Sequence, residues 1–175
     1  VVLLVLVVAF SLAAPRFFSV LNVSNIFTQI SINTVIAVGM TFVILLGGID
    51  LSVGSVLALC SIIAGKALTN PSLPFGTAIV LAVTLSIASG MLIGFFNGFI
   101  SETWKIHSFI VTLGMLNIAR GLALQISHSR TIFNFPQIFK DFGTTTYFEV
   151  FPAIFLIALA LVVIGTIILR KTVFG

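Results

Sequence analysis

The chain has 175 residues, 59% of them hydrophobic and 7% charged, with a mean hydropathy of +1.32. A soluble domain carries about a quarter charged residues, so this composition excludes a hydrated surface all round and places a polytopic chain in a membrane. The net charge of +4 comes from eight scattered basic residues, which excludes the clustered basic patch of a nucleic-acid binder, and the lone Cys60 excludes an internal disulfide and a cysteine metal cluster.

Six apolar segments follow one another along the chain. Each is longer than a core strand and none alternates with period two, so helices are preferred over barrel strands. The fold class is therefore an all-α polytopic transmembrane bundle of about six segments. No repeat of 20–50 residues is visible.

The first segment, Val1–Ala14, is closed by Pro15 and Arg16. It falls short of the roughly 20 residues that span a bilayer. It also lacks a basic flank and a small-residue cleavage site that would mark a signal peptide. Together with the stop at Phe174-Gly175, this predicts one membrane domain over 1–175 that is an N-terminal fragment of a longer chain. The second segment runs from about Ile26 to Leu46, with Asn22, Ser24 and Asn25 ahead of it as expected caps.

Between the second and third segments stands Gly47-Gly48-Ile49-Asp50-Leu51-Ser52-Val53-Gly54, and Asp50 is the lone charged residue between Phe17 and Gly65. An Asp at mid-helix costs roughly 2.5–3.5 kcal/mol on insertion scales. Gly47, Gly48, Ser52 and Gly54 around it predict a break between two membrane helices, where polar groups need partners that lipid cannot supply. Asp50 itself has three readings: a cap for the third helix, an ion-pair partner, or a substrate or proton site. The Asp-Leu-Ser spacing favours the cap.

The third segment runs from about Leu51 to Leu68 and ends at Thr69-Asn70-Pro71, a turn signal. The fourth, from about Thr77 to Ile100, carries Gly90, Gly94 and Gly98 four apart on one face. That spacing predicts close approach by another helix, with Asn97 beside the stripe as an interhelical bridge or a lining residue. The fifth, from about Phe109 to Ile126, contains Arg120. This arginine either faces the protein interior, with Asp50 as a candidate partner, or snorkels to the interface.

His107 and His128 sit at loop edges without metal-ligand spacing and read as solvated loop residues. The Gln125–Glu149 loop holds Phe133, Phe135, Pro136, Phe139 and Tyr147, with a short surface helix expected over Pro136–Phe142. It reads either as a loop packed on the bilayer interface or as a docking surface. The sixth segment, Val150–Leu169, ends at Arg170-Lys171, a cytoplasmic stop. If all six segments span, Asp50 and the Ser101–His107 loop face the cytoplasm and the Gln125–Glu149 loop lies outside.

No catalytic constellation and no Gly-x-x-x-x-Gly-Lys-Ser/Thr motif is present, so the chain reads as a transport component and not an enzyme. If transport is driven by ATP, another subunit hydrolyses it. A proton- or ion-coupled secondary transporter using Asp50 and Arg120 is the alternative, since broken helices with buried charge suit that class too.

Three runs carry a family resemblance. Asn33-Thr34-Val35-Ile36-Ala37-Val38-Gly39-Met40-Thr41-Phe42-Val43-Ile44, continuing into the Gly47–Ser55 motif, is similar to the permeases of bacterial ABC sugar importers. The ribose, xylose and galactose types, within the branched-chain permease superfamily, are the nearest comparison. Phe109-Ile110-Val111-Thr112-Leu113-Gly114 with Ile118-Ala119-Arg120-Gly121 resembles the same family, as does Arg170-Lys171-Thr172-Val173-Phe174-Gly175. One departure is His107-Ser108, where family members often carry a proline.

The resemblance implies a membrane-spanning translocation subunit of a binding-protein-dependent importer in the bacterial inner membrane. Its implied partners are a second permease subunit, a cytoplasmic ATP-binding subunit and a periplasmic sugar-binding protein. ATP would be bound by the partner, with no cofactor in this chain, and the loop that engages the ATPase would begin where this sequence stops. A neutral polyol as cargo would need hydrogen-bonding side chains along its path. Asn33, Thr34, Thr41, Asn97, Thr112 and Asn117 are the candidates, with aromatic faces drawn from the Phe residues.

Overall fold

The computed structural model describes residues 1–147 and 150–172. Phe148, Glu149 and the last three residues of the run that starts at Arg170, Val173-Phe174-Gly175, lie outside the described residues. The elements in order are α1 (Val2–Ala13), α2 (Val20–Leu45), α3 (Val53–Leu68), α4 (Phe75–Trp104), α5 (Ser108–Ser127), α6 (Gln137–Thr144), β1 (Thr146–Tyr147), β2 (Phe151–Pro152) and α7 (Ala153–Lys171).

Among the described residues, four helices are long and apolar enough to cross a membrane: α2, α4, α5 and α7. The expectation of six spanning segments is corrected to this extent. With 12 residues α1 extends about 18 Å, and with 16 residues α3 extends about 24 Å. Both are shorter than the roughly 30 Å of hydrocarbon. α3 is short because the chain ahead of it, up to Ser52, is spent on the break.

Two compact units are present: Val1–Gly39 with Lys140–Gly175, and Met40–Phe139. In the first, α2 begins a turn earlier than its polar residues suggest. Ser19 Oγ accepts the amide of Asn22 at 3.3 Å, which is the geometry of a serine cap. Asn22, Ser24 and Asn25 therefore lie inside the helix. Asn22 Nδ2 turns back to the Phe17 carbonyl at 2.7 Å, so this side chain satisfies a group outside the helix it was expected to cap.

In the same unit Phe27 meets Phe151 and Phe155 with ring centroids 5.1 and 4.9 Å away. β1 and β2 pair antiparallel over two residues each, a small addition to an otherwise helical chain. The expected surface helix over Pro136–Phe142 corresponds to α6, shifted one residue on because Pro136 supplies the carbonyl that receives the Phe139 amide.

In the second unit α3 packs against both α4 and α5. Leu59 of α3 is buried against Ala119 and Ala123 of α5, with Val56, Ile62, Ile63 and Ile93 around it. Alanines at these two positions let the backbones approach, the usual basis of helix association in lipid. Gly90 faces α3: a Cβ there would stand 3.7 Å from Cys60 Sγ. Beyond α5 the chain folds over the far end of α3, where Ile132 and Phe135 cover Gly65. Large apolar side chains elsewhere, such as Val80, Met91 and Phe95, are exposed, as suits helices whose solvent is lipid.

Candidate functional site at the helix break

α2 ends in a complete Schellman motif. The Gly48 amide reaches the Val43 carbonyl and the Gly47 amide the Ile44 carbonyl, both at 2.9 Å. Gly47 takes the left-handed conformation this requires, with φ of 73°. Gly48 is needed for a different reason, since a Cβ there would lie 3.2 Å from the Val43 carbonyl oxygen. Two adjacent glycines thus end the helix, one by its dihedral and one by its lack of bulk.

The next four residues cross from α2 to α3 without secondary structure, and their polar groups are met by side chains from the start of α5. The Ile49 amide donates to Ser108 Oγ at 3.0 Å and the Leu51 amide to Thr112 Oγ1 at 3.2 Å. The Thr112 hydroxyl has the Ile49 carbonyl at 3.1 Å and the Ser108 carbonyl at 2.8 Å as acceptors. One turn of α5 therefore supplies two hydroxyls at the spacing of the broken backbone. This is what apolar surroundings demand of irregular chain.

Asp50 does not cap α3 in the expected way. Its Oδ1 accepts the Ser52 amide at 2.7 Å and the Ser52 hydroxyl at 2.6 Å. Ser52 is itself the residue that flanks the helix, so the carboxylate closes an Asx turn just ahead of α3 instead of meeting its first free amides. Ser52 is wholly buried, and Asn97 of α4, 8% exposed, donates Nδ2 to Ser52 Oγ at 3.1 Å. Asn97 Oδ1 is buried with no hydrogen-bond partner among the described residues. The break is thereby tied to α4 through Asn97 and to α5 through Ser108 and Thr112.

A cavity of about 540 Å³ opens beside this network, lined by Gly47, Gly48, Asp50, Gly94, Asn97, Gly98, Ser101, His107, Ser108 and Thr112, among others. At the loop after α4, Lys105 adopts a left-handed conformation and pairs with Glu102 at 3.2 Å, both side chains largely exposed. Gly94 and Gly98 were expected to admit a neighbouring helix. Both line the cavity instead, and among the described residues of this unit nothing outside their own helix comes within 4 Å of the Cβ position, so no helix of the unit makes that approach.

Of the remaining sequence candidates, Asn33 and Thr41 lie on α2. Asn117 is exposed and spends Nδ2 on its own helix at the Leu113 carbonyl. Arg120 is exposed and lines a second cavity of about 330 Å³ with Gly54, Ser55 and Ser127. Asp50 and Arg120 are thus assigned to different cavities, and no ion pair joins them among the described residues. Among the same residues, no three His, Cys, Asp or Glu side chains converge.

Sequence reasoning missed Ser108. The signal was available, because it stands at the head of the Phe109–Gly114 run, four residues before Thr112 and so on the same helix face.

The chain is similar to known membrane permeases. The chain is 42% identical to the ribose import permease of Haemophilus influenzae over 132 residues, 75% of this chain and 39% of that protein. It is 33% identical to the L-arabinose ABC transporter permease of Azospirillum brasilense over 174 residues, 99% of this chain and 50% of that one. It is 36% identical to an inner membrane ABC transporter permease of Escherichia coli over 166 residues, 92% and 48%. The chain spans about half the length, or less, of these relatives. No solved structure matches it. The family described as the permease component of the branched-chain amino acid transport system matches residues 22–175, and this multi-pass membrane chain belongs to that family.

Proposed function

We propose that the chain is part of the membrane-spanning translocation subunit of an ATP-driven, binding-protein-dependent importer of a monosaccharide or related small polyol. The observation that carries the reading is a polar, hydrogen-bonded helix break beside an open cavity in a chain of this family. Relatives named for ribose import and L-arabinose transport support the substrate class. The membrane proposed is the bacterial inner membrane, in keeping with the name of one relative. An ATP-binding subunit, a sugar-binding protein outside the membrane and a second permease subunit are the proposed partners. ATP is bound by the partner subunit, with no cofactor in this chain.

The test is purification of the full-length protein from mild detergent, followed by uptake in proteoliposomes. The expected result is a co-purifying ATP-binding subunit and uptake of a radiolabelled aldopentose that needs internal ATP. Uptake driven by a proton or sodium gradient, with no ATP-binding subunit attached, would overturn the reading.

A further inference from the structure

One face of α2 carries three carboxamides with nothing to bond to, and we infer that this face walls a water-filled cleft of the transport path. The inference needs only that α2 crosses the membrane, and it holds whether transport is driven by ATP or by an ion gradient.

Asn25, Gln29 and Asn33 follow one another at intervals of four, which sets them in one stripe on the helix. All three are exposed, and none of their side chains makes a hydrogen bond among the described residues. Asn22, Thr28 and Ser31 are satisfied locally. Asn22 Nδ2 reaches the Phe17 carbonyl, Thr28 Oγ1 donates to the Ser24 carbonyl at 3.0 Å and Ser31 Oγ to the Phe27 carbonyl at 2.6 Å.

Depth makes the stripe informative. With 26 residues α2 extends about 39 Å, roughly 9 Å more than the hydrocarbon core. Even with all of that excess placed ahead of Ile26, Asn33 stands about 10 Å inside the hydrocarbon, farther than its short side chain reaches back.

A carboxamide has two N–H donors and two acceptor lone pairs, and lipid chains match none of them. A closely packed helix also suits this face poorly. Helices associate in lipid through small residues, whereas here Ile26, Ile32 and Ile36 stand among the carboxamides with no Gly, Ala or Ser. α2 packs through its opposite side, where Ser24 and Ser31 are buried and Phe27 meets Phe151 and Phe155. Water offers donors and acceptors along the whole stripe without a fixed register, and polar side chains at membrane depth border water-filled cavities.

The test is cysteine accessibility in the full-length protein in lipid nanodiscs, on a Cys60→Ser background. A charged methanethiosulfonate reagent attacks thiolate, so it needs water at the sulfur. Gln29→Cys and Asn33→Cys are expected to react roughly tenfold faster than Ile30→Cys, an exposed position off the stripe, in the presence or absence of Mg-ATP. A second measurement needs no thiol. Asn33→Asp is expected to keep the thermal midpoint close to that of the parent, while Ile30→Asp lowers it by several degrees, because only a hydrated face keeps a carboxylate ionised without loss.

Gln29→Cys and Asn33→Cys reacting no faster than Ile30→Cys under both conditions overturns the inference. So does oxidation that joins Asn33→Cys to a second copy as a disulfide while the charged reagent fails to reach it, which makes the face an interface between copies. Equal losses of midpoint in the two aspartate variants also overturn it.

Discussion

Asp50 organises Ser52 more than it organises a helix. Its carboxylate holds the amide and hydroxyl of Ser52, which is wholly buried. Asp50→Ala leaves that amide without an acceptor, a loss of about 1–3 kcal/mol for a buried unsatisfied group. The expected outcome is a clear drop in the thermal midpoint of the purified full-length protein, with Asp50→Asn falling by much less. Thr112→Val is expected to cost about 1–3 kcal/mol in the same measurement, because the Leu51 amide loses its partner. Gly47→Ala must place a Cβ at φ of 73°, at roughly 1–2 kcal/mol. Gly54→Ala meets open space and is expected to be neutral. Equal midpoints for the Gly47 and Gly54 variants would contradict the left-handed helix end.

At the scale of elements, the seam of α3 and α5 and the glycine face of α4 respond in opposite ways to added bulk. Ala119 is wholly buried against Leu59, so Ala119→Leu overpacks the seam and costs about 1–3 kcal/mol. Gly94 faces the cavity with nothing nearby, so Gly94→Ala is expected to be neutral or stabilising by about 0.5–1 kcal/mol, the gain of replacing glycine within a helix. Thermal unfolding of the two variants side by side decides this. The spacing of Gly90, Gly94 and Gly98 showed a small-residue face but not what lay against it. A stripe of glycine is compatible equally with a neighbouring helix and with a void, since both need only the absence of a side chain. Gly90 alone of the three meets α3, at Cys60, and the contact between α3 and α5 uses alanine, which in an apolar run carries no signal above the background.

For the whole molecule, α5 sets the distance between two loops of one compact unit. Its 20 residues extend about 30 Å, the thickness of the hydrocarbon core. Lys105 and Arg130 flank it. Single cysteines at these positions in full-length protein are expected to react with a membrane-impermeant maleimide from opposite sides of the membrane, Lys105→Cys from the cytoplasm. Labelling of both from one side would mean that α5 does not cross.

The sequence by itself determined the solvent of this protein, the helical class, the place of the break and the family. Each of these depends on composition or on short contiguous runs: 7% charge, a glycine pair before an aspartate, an apolar segment of sufficient length. The tertiary structure decided what meets what. Ser108 and Thr112 serve Ile49 and Leu51 from some sixty positions away, and Asn97 serves Ser52 from forty-five. It also separated Asp50 from Arg120, which the rarity of charge in the chain had suggested as partners. A buried polar group must find a donor or acceptor, and the sequence announces that need. Which of several scattered hydroxyls and amides answers it depends on how the helices are brought side by side.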